Sequence, residues 1–221
     1  MATGKGRRIR GLEPEDRRQR RREELLDSAL DLFAANGYAA TSIEQICQNA
    51  TVGYKAFYDE FATKEQLFIA LYDSLGGKLL PAVFDAFGAE GLSPDGRLVA
   101  IITSYVRAAM ADRRVATVLF VTSAGVSEAV DLHRRAAHRA FADVFRQLYT
   151  AGLVVDAPQS GVTRGRSIAL GVTGGMGEIV VDFLLDDTEP SVDDLVAGLV
   201  DFVGTVLQGV RAADAPDPPS R

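Results

Sequence analysis

The chain has 221 residues, 47% of them apolar and 24% charged, a globular balance that fits one large domain or a small one joined to a larger one. A single cysteine, Cys47, excludes an intrachain disulfide. Residues 1–20 hold no apolar core of a secretory leader, so a reducing cytoplasm is the expected setting. The net charge of −6 is uneven: residues 1–22 carry nine basic groups against three acidic ones, leaving +6 there and −12 on the remainder. A basic arm on an acidic body is the pattern of a chain that meets a polyanion with one end, although such a run taken alone is more often a solvated face.

Residues 1–15 lack apolar periodicity and read as a disordered basic arm. From about Asp16 a helix is predicted, with Leu25, Ala29, Leu32 and Phe33 on one stripe and Gly37 just past its end. Next, "TSIEQICQNA" predicts a helix of barely two turns. Thr41 with Glu44 has the spacing of a capping box, and Ile43, Ile46, Cys47 and Ala50 make the stripe. "TVG" (51–53) breaks it, and another short helix runs from about Tyr54 to Phe61.

Thr63 with Gln66 repeats the cap spacing and starts a longer helix whose stripe is Phe68, Leu71, Tyr72 and Leu75. Beyond Pro81 further helices are predicted near 94–112, 115–122, 126–151, 163–187 and 191–211, with breaks at "GLSPDG", "SAG", "GLVVDAPQSG" and "DDTEPS". The tail "AADAPDPPSR" reads as unfolded. No strand alternation stands out, so the fold class is all-α, with a helix-turn-helix unit over 16–62 (together with the start of the following helix, to about 75) and a larger helical body over 63–211. "SIALGVTGGMGEIVVDFLL" (167–185) has the length of a membrane span, but Glu178 and Asp182 make a buried helix the better reading, and no membrane partner is expected.

The two short helices joined by a three- or four-residue turn have helix-turn-helix proportions, in which the second helix enters the major groove. On that second helix Phe57 and Phe61 can pack on Ile46, Cys47 and Phe33, while Tyr54, Lys55, Tyr58 and Asp59 share an arc of the other side. One side builds a small core and the other is left to face DNA.

"TSIEQICQNATVGYKAFYDEFATKEQLF", with the preceding "LLDSALDLFAANGYAATS", resembles the DNA-binding domain of the TetR family of transcriptional regulators over roughly residues 17–70. The resemblance implies contacts to phosphate from Thr41, at a helix N-terminus beside Ser42, and from Lys64. It implies base contacts from Tyr54, Lys55 and Ala56 at the start of the recognition helix after Gly53, with Tyr58 reaching a phosphate or base. Asp59 is a candidate acceptor from cytosine or a partner for Lys55. Arg17, Arg18, Arg20 and Arg21 would track phosphate or enter a minor groove. Thr51 stands where the family commonly has glycine, and Gly53 where it often has a Ser/Thr cap.

The resemblance also implies a homodimer on a palindromic operator and a body that encloses a small-molecule effector. Candidate effector contacts are Tyr105, Met110, Phe120, His133, Tyr149, Met176 and Phe183, each of which could instead be ordinary core or surface. Candidate dimer residues are Gly171, Gly174 and Gly175, whose small size allows close backbone approach, with Val200, Val203 and Leu207; close packing within one subunit is the rival reading. No phosphate-loop pattern accompanies these glycines. His133 and His138 are five apart, about 140° round a helix, so no metal pair forms. No cofactor and no catalytic set are expected. The expected function is a ligand-responsive repressor. The alternatives are an activator, a regulator whose body binds a protein partner, or an all-α enzyme or lipid carrier that kept the head.

Overall fold

The computed structural model describes residues 14–150, 162–186, 188 and 191–214. The described residues form helices joined by short turns and contain no strand. The helices are α1 (Pro14–Asn36), α2 (Ile43–Asn49), α3 (Tyr54–Glu60), α4 (Lys64–Gly88), α5 (Pro94–Met110), α6 (Arg113–Ala116), α7 (Glu128–Thr150), α8 (Val162–Leu185) and α9 (Val192–Asp214). A π-helical turn, Thr117–Thr122, continues α6. The all-α class read from the sequence is what the structure shows. Residues 1–13, 151–161 and 215–221, with most of the proposed arm and tail and the "GLVVDAPQSG" break, lie outside the described residues. Residues 14–15 and 212–214 do not fit the proposed arm and tail, because α1 already begins at Pro14 and α9 runs on to Asp214.

Local chemistry sets the helix ends. Gly37 closes α1 with φ +78, and its N–H donates to the Phe33 carbonyl at 3.0 Å, a left-handed cap that a Cβ would strain. The cap of α2 is Ser42 and not Thr41. Ser42 Oγ accepts from Gln45 N–H while the Gln45 side chain accepts from Ser42 N–H, a complete capping box displaced by one residue from the expected spacing. Thr63 and Ser93 cap α4 and α5 through the side-chain oxygen alone, which accepts from the N–H of Gln66 and of Gly96.

Pro81 does not end the fourth helix, which continues through it to Gly88. Pro81 and Gly77, four residues back, are both on the exposed side, so the carbonyl freed by the missing N–H faces water. Beyond Gly88, Arg97 from α5 donates to the carbonyls of Phe87 and Ala89 and satisfies that helix end. Arg113 does the same for α8 through the Leu184 carbonyl at 2.8 Å.

Two apolar clusters hold these elements together. The first joins Leu25, Ala29 and Phe33 of α1, Ile46 and Cys47 of α2, Phe57 of α3 and Leu67, Phe68, Leu71 and Leu75 of α4. It continues into Ala109, Val118, Leu119 and Val130. The apolar contacts of the head therefore do not stop at residue 62. The second cluster packs Leu98, Ile102 and Val106 of α5 against Val172, Met176, Val180 and Phe183 of α8 and Leu195, Leu199, Val203 and Leu207 of α9. Each fully buried Leu or Phe in such a core contributes about 1.5–3 kcal/mol through removal from water.

The stretch 167–185 is half-buried, not buried throughout. Ala169, Val172, Met176, Val180 and Phe183 point inward, while Leu170, Gly171, Gly174, Glu178, Asp182 and Leu185 are exposed. By length and composition both Lys64–Gly88 and Gly165–Leu185 would cross a bilayer. Here each instead places its apolar stripe in one of the two clusters.

Candidate nucleic-acid interface

The interface is built outward from the first cluster. Phe57 is fully buried and Phe61 nearly so, with ring centroids 6.0 Å apart. At 100° per residue Lys55 and Asp59 fall on the side away from this pair, while Tyr54 and Tyr58, three residues before Phe57 and Phe61, fall beside it. All four are exposed, Tyr54 and Tyr58 by half their surface, and their rings lie 5.7 Å apart as one aromatic pair. Ala56 is half-buried at the edge of the arc. The four residues are exposed as expected, but Tyr58 is not on a separate side: its ring lies edge-on to Phe57, with centroids 5.3 Å apart.

The turn before α3 carries the departures noted in the sequence. Thr51 adopts φ +54, in the left-handed region that a β-branched residue occupies at a cost. It is retained because Thr51 N–H donates to Gln48 and Val52 N–H to Cys47, closing the end of α2. Gly53 caps α3 with extended backbone and no side-chain bond, and a Cβ there would meet nothing within 4 Å.

Most of the expected phosphate ligands are otherwise engaged. Thr41 is 1% exposed, and its hydroxyl donates inward to the carbonyls of Gly37 at 2.8 Å and Leu32 at 3.2 Å. It staples the α1–α2 connection, and the exposed hydroxyl at the start of α2 belongs to Ser42. Lys64 turns back to donate to Tyr38 and Thr41 carbonyls at 2.8 and 2.7 Å, with its ammonium 4.1 Å above the Tyr38 ring. Burial lowers the pKa of that ammonium from its ordinary value. Arg18 donates from Nε to both carboxylate oxygens of Glu60, at 3.1 and 3.2 Å, and Arg21 lies 3.9 Å from the same group. Glu60 was not among the residues singled out in the sequence, because an acidic residue ending a short helix gives no signal of a partner forty residues away.

Arg20 pairs with Glu24 one turn on, both exposed, and Arg22 lies 4.6 Å over the Phe61 ring. Arg17 is exposed with no protein partner among the described residues.

In the body the candidate residues separate. Tyr105 and Phe120 pack against both clusters with ring centroids 6.4 Å apart. Phe141, which the sequence did not point to, lies 5.3 Å from Tyr105. Burial pushes the Tyr105 phenol well above its ordinary range. Met110 is half-buried beside the second cluster, and Met176 and Phe183 are core members of it. His133 belongs to the surface: Nε2 lies 2.6 Å from Asp73 Oδ1 and the ring packs on Tyr72, tying α7 to α4. The Tyr149 side chain lies outside the described residues.

Of the expected dimer residues, Val203 and Leu207 are buried in the chain's own core and do not supply a free surface. Gly175 serves packing within the chain, since a Cβ there would lie 2.5 Å from Phe202 Cζ. Gly171 and Gly174 are exposed with nothing within 4 Å of an added Cβ, and Val200 is half-buried.

A trihelical head with one short helix buried by two phenylalanines and exposed through an aromatic, cationic arc defines a helix-turn-helix protein. Residues 25–71 match the family model described as bacterial regulatory proteins, tetR family. The likeness to that family lies in the head, the segment from which the sequence resemblance was read. Over 55 residues it is 46% identical to the HTH-type transcriptional repressor Rv3405c of Mycobacterium tuberculosis, a match that covers 25% of this chain and 29% of that protein. Over 65 residues it is 34% identical to the HTH-type transcriptional regulator TcmR of Streptomyces glaucescens, covering 29% of each. The matched segments thus span under a third of these relatives.

Over most of its length the chain is similar in fold to solved structures. A TetR-like transcriptional regulator from Rhodococcus sp. RHA1 matches with TM-score 0.66 and 24% identity over 86% of this chain and 96% of that one. The regulator FadR from Bacillus subtilis, solved in complex with stearoyl-CoA, matches with TM-score 0.68 and 17% identity over 82% and 96%. Those likenesses carry the fold.

Proposed function

We propose that the chain is a homodimeric, effector-responsive transcriptional repressor that reads a palindromic operator. The observation that carries this reading is the two-sided α3. Phe57 and Phe61 fix its roll, and Tyr54, Lys55 and Tyr58 are exposed on an adjoining arc, with the Tyr58 ring edge-on to Phe57. Aromatic hydroxyls and an ammonium on a helix of that size are the groups that read base edges and phosphates in a major groove. Ser42 presents its hydroxyl beside the first exposed N–H groups of α2, a further phosphate contact. A regulator of this kind works in the cytoplasm, on double-stranded DNA.

Effector control follows from how the head is joined to the body. The first cluster runs from α1 through α4 into the π-helical turn, and Thr122 Oγ1 donates to the Phe33 carbonyl at the end of α1. Arg114 additionally pairs with Asp31 of α1 and Asp112. An effector wedged near Tyr105, Phe120 and Met110, where the two clusters meet, would move the turn that carries the head. Its leverage equals the difference in its affinity for the two arrangements.

The test is binding to the DNA upstream of the protein's own coding region, by gel shift against competitor and then footprinting. A protected palindrome supports the reading. Equal affinity for that DNA and random DNA, at salt that suppresses nonspecific binding, refutes it.

A further inference from the structure

Glu60 is a carboxylate in a poor place for one. It is the last residue of α3, where the helix dipole disfavours negative charge, and its side chain is only 1% exposed. A buried carboxylate persists only when paired and hydrogen-bonded. Its partners come from the basic start of α1: Arg18 Nε donates to both oxygens, at 3.1 and 3.2 Å, and Arg21 Nη2 is 3.9 Å from Oε1. The next residue, Phe61, carries the Arg22 guanidinium above its ring at 4.6 Å. Three of the five arginines between 17 and 22 are thereby turned toward the end of the recognition helix.

We propose that Glu60 is a positioning residue of the DNA interface: it withholds Arg18 and Arg21 from phosphate and anchors the start of α1 to the end of α3, so that sequence-independent binding is weaker than the arm's charge gives. This rests on the DNA-binding reading above. Transferring Arg18 to a phosphate would leave a buried carboxylate short of its principal donor, so the pair stays closed on DNA. Arg17, exposed and without a protein partner among the described residues, is left to meet phosphate. The consequence is specificity. Each arginine kept off the backbone removes a contribution that all sequences share, and the fixed α1–α3 angle holds Arg17 in register with Tyr54, Lys55 and Tyr58.

The experiment measures the affinity of the full chain for a random-sequence duplex across 50–200 mM salt. The proteins are wild type, Arg17→Gln, Arg18→Gln and Glu60→Gln. Each phosphate contact contributes about 0.9 to the log–log slope, or about 3.5-fold in affinity over that range. Arg17→Gln should flatten the slope by one contact, and Arg18→Gln should leave it unchanged. Glu60→Gln should steepen it by one to two contacts and lower the ratio of specific to random-sequence affinity. Flattening by Arg18→Gln equal to that by Arg17→Gln overturns the proposal. So does a Glu60→Gln protein that melts lower with an unaltered slope, the signature of a merely structural pair. Should Glu60→Gln fail to fold by circular dichroism, Arg18→Gln decides alone. A wild type with no salt-dependent binding would instead remove the DNA-binding reading itself.

Discussion

At the scale of single residues, surface and core roles on α3 are separable. Lys55 is exposed and makes no hydrogen bond or ion pair among the described residues, so Lys55→Ala should weaken operator binding about 5- to 150-fold, the range of one base contact, with an unchanged melting temperature. Fluorescence anisotropy and thermal melts on the same preparation check both halves. Periodicity alone sets Lys55 and Asp59 away from Phe57 and Phe61, whereas Tyr54 and Tyr58 lie beside that pair on the helix and their exposure is decided by the assembled head. Thr41, Lys64 and Arg18 were not legible in that way. Each can reach either solvent or a carbonyl or carboxylate of its own chain, and the choice depends on tertiary neighbours such as Glu60 and Tyr38 that no local spacing encodes. His138 gives a pH signature at the same scale. Burial, and then the nearby Arg134 charge, hold its imidazole below its ordinary pKa of 6.5. The unfolded chain therefore binds the proton more readily, and stability is lost as pH falls below about 6.5 toward the lowered folded value. Melts at pH 7.5 and 5.5 should show a larger drop for wild type than for His138→Gln.

At the scale of elements, the turn between α2 and α3 stores strain at Thr51, the position singled out in the sequence as one where glycine is common. Thr51 at φ +54 incurs about 1–2 kcal/mol relative to a residue at ease there. Asparagine tolerates the left-handed region without the unfolded-state entropy of glycine. Thr51→Asn should therefore raise the unfolding free energy by about 0.5–1 kcal/mol, read as a shift in denaturant midpoint at constant slope. A result of zero or below would mean that the Thr51 side chain contributes contacts which offset its backbone cost. Elements also show where pattern reading stops. Pro81 reads as the end of α4, yet the helix continues because the freed carbonyl is on the wet side, and only the assembled fold shows which side that is. The π-helical turn at Thr117–Thr122 has no composition of its own, being made of the same apolar residues as any core helix. It forms where Val118 and Leu119 must reach the first cluster while Phe120 packs toward both.

At the scale of the whole molecule, the proposed palindromic operator would need two heads about 34–36 Å apart, so the proposed function requires the body to pair. The glycines that suggested how it pairs divide once the neighbours are known. Gly175 is consumed by Phe202 within the chain, and Val203 and Leu207 by the second cluster, whereas Gly171 and Gly174 open outward beside exposed Leu170. An exposed glycine inside a helix costs about 1 kcal/mol against alanine and gives this chain nothing by itself, so a partner that approaches the backbone closely is the benefit it can supply. Gly174→Leu relieves the helix-propensity cost and meets no atom of its own chain, so the isolated subunit should fold at least as well as wild type. Against a partner, the added side chain should weaken dimerisation by about tenfold or more, the effect of overpacking a close contact by 1–3 kcal/mol. Sedimentation equilibrium should then show monomer at concentrations where wild type is dimeric, and operator affinity should fall while Lys55 and its arc are untouched. A Gly174→Leu protein that dimerises like wild type would move the interface off this face of α8 and leave the exposed glycines there without a physical account.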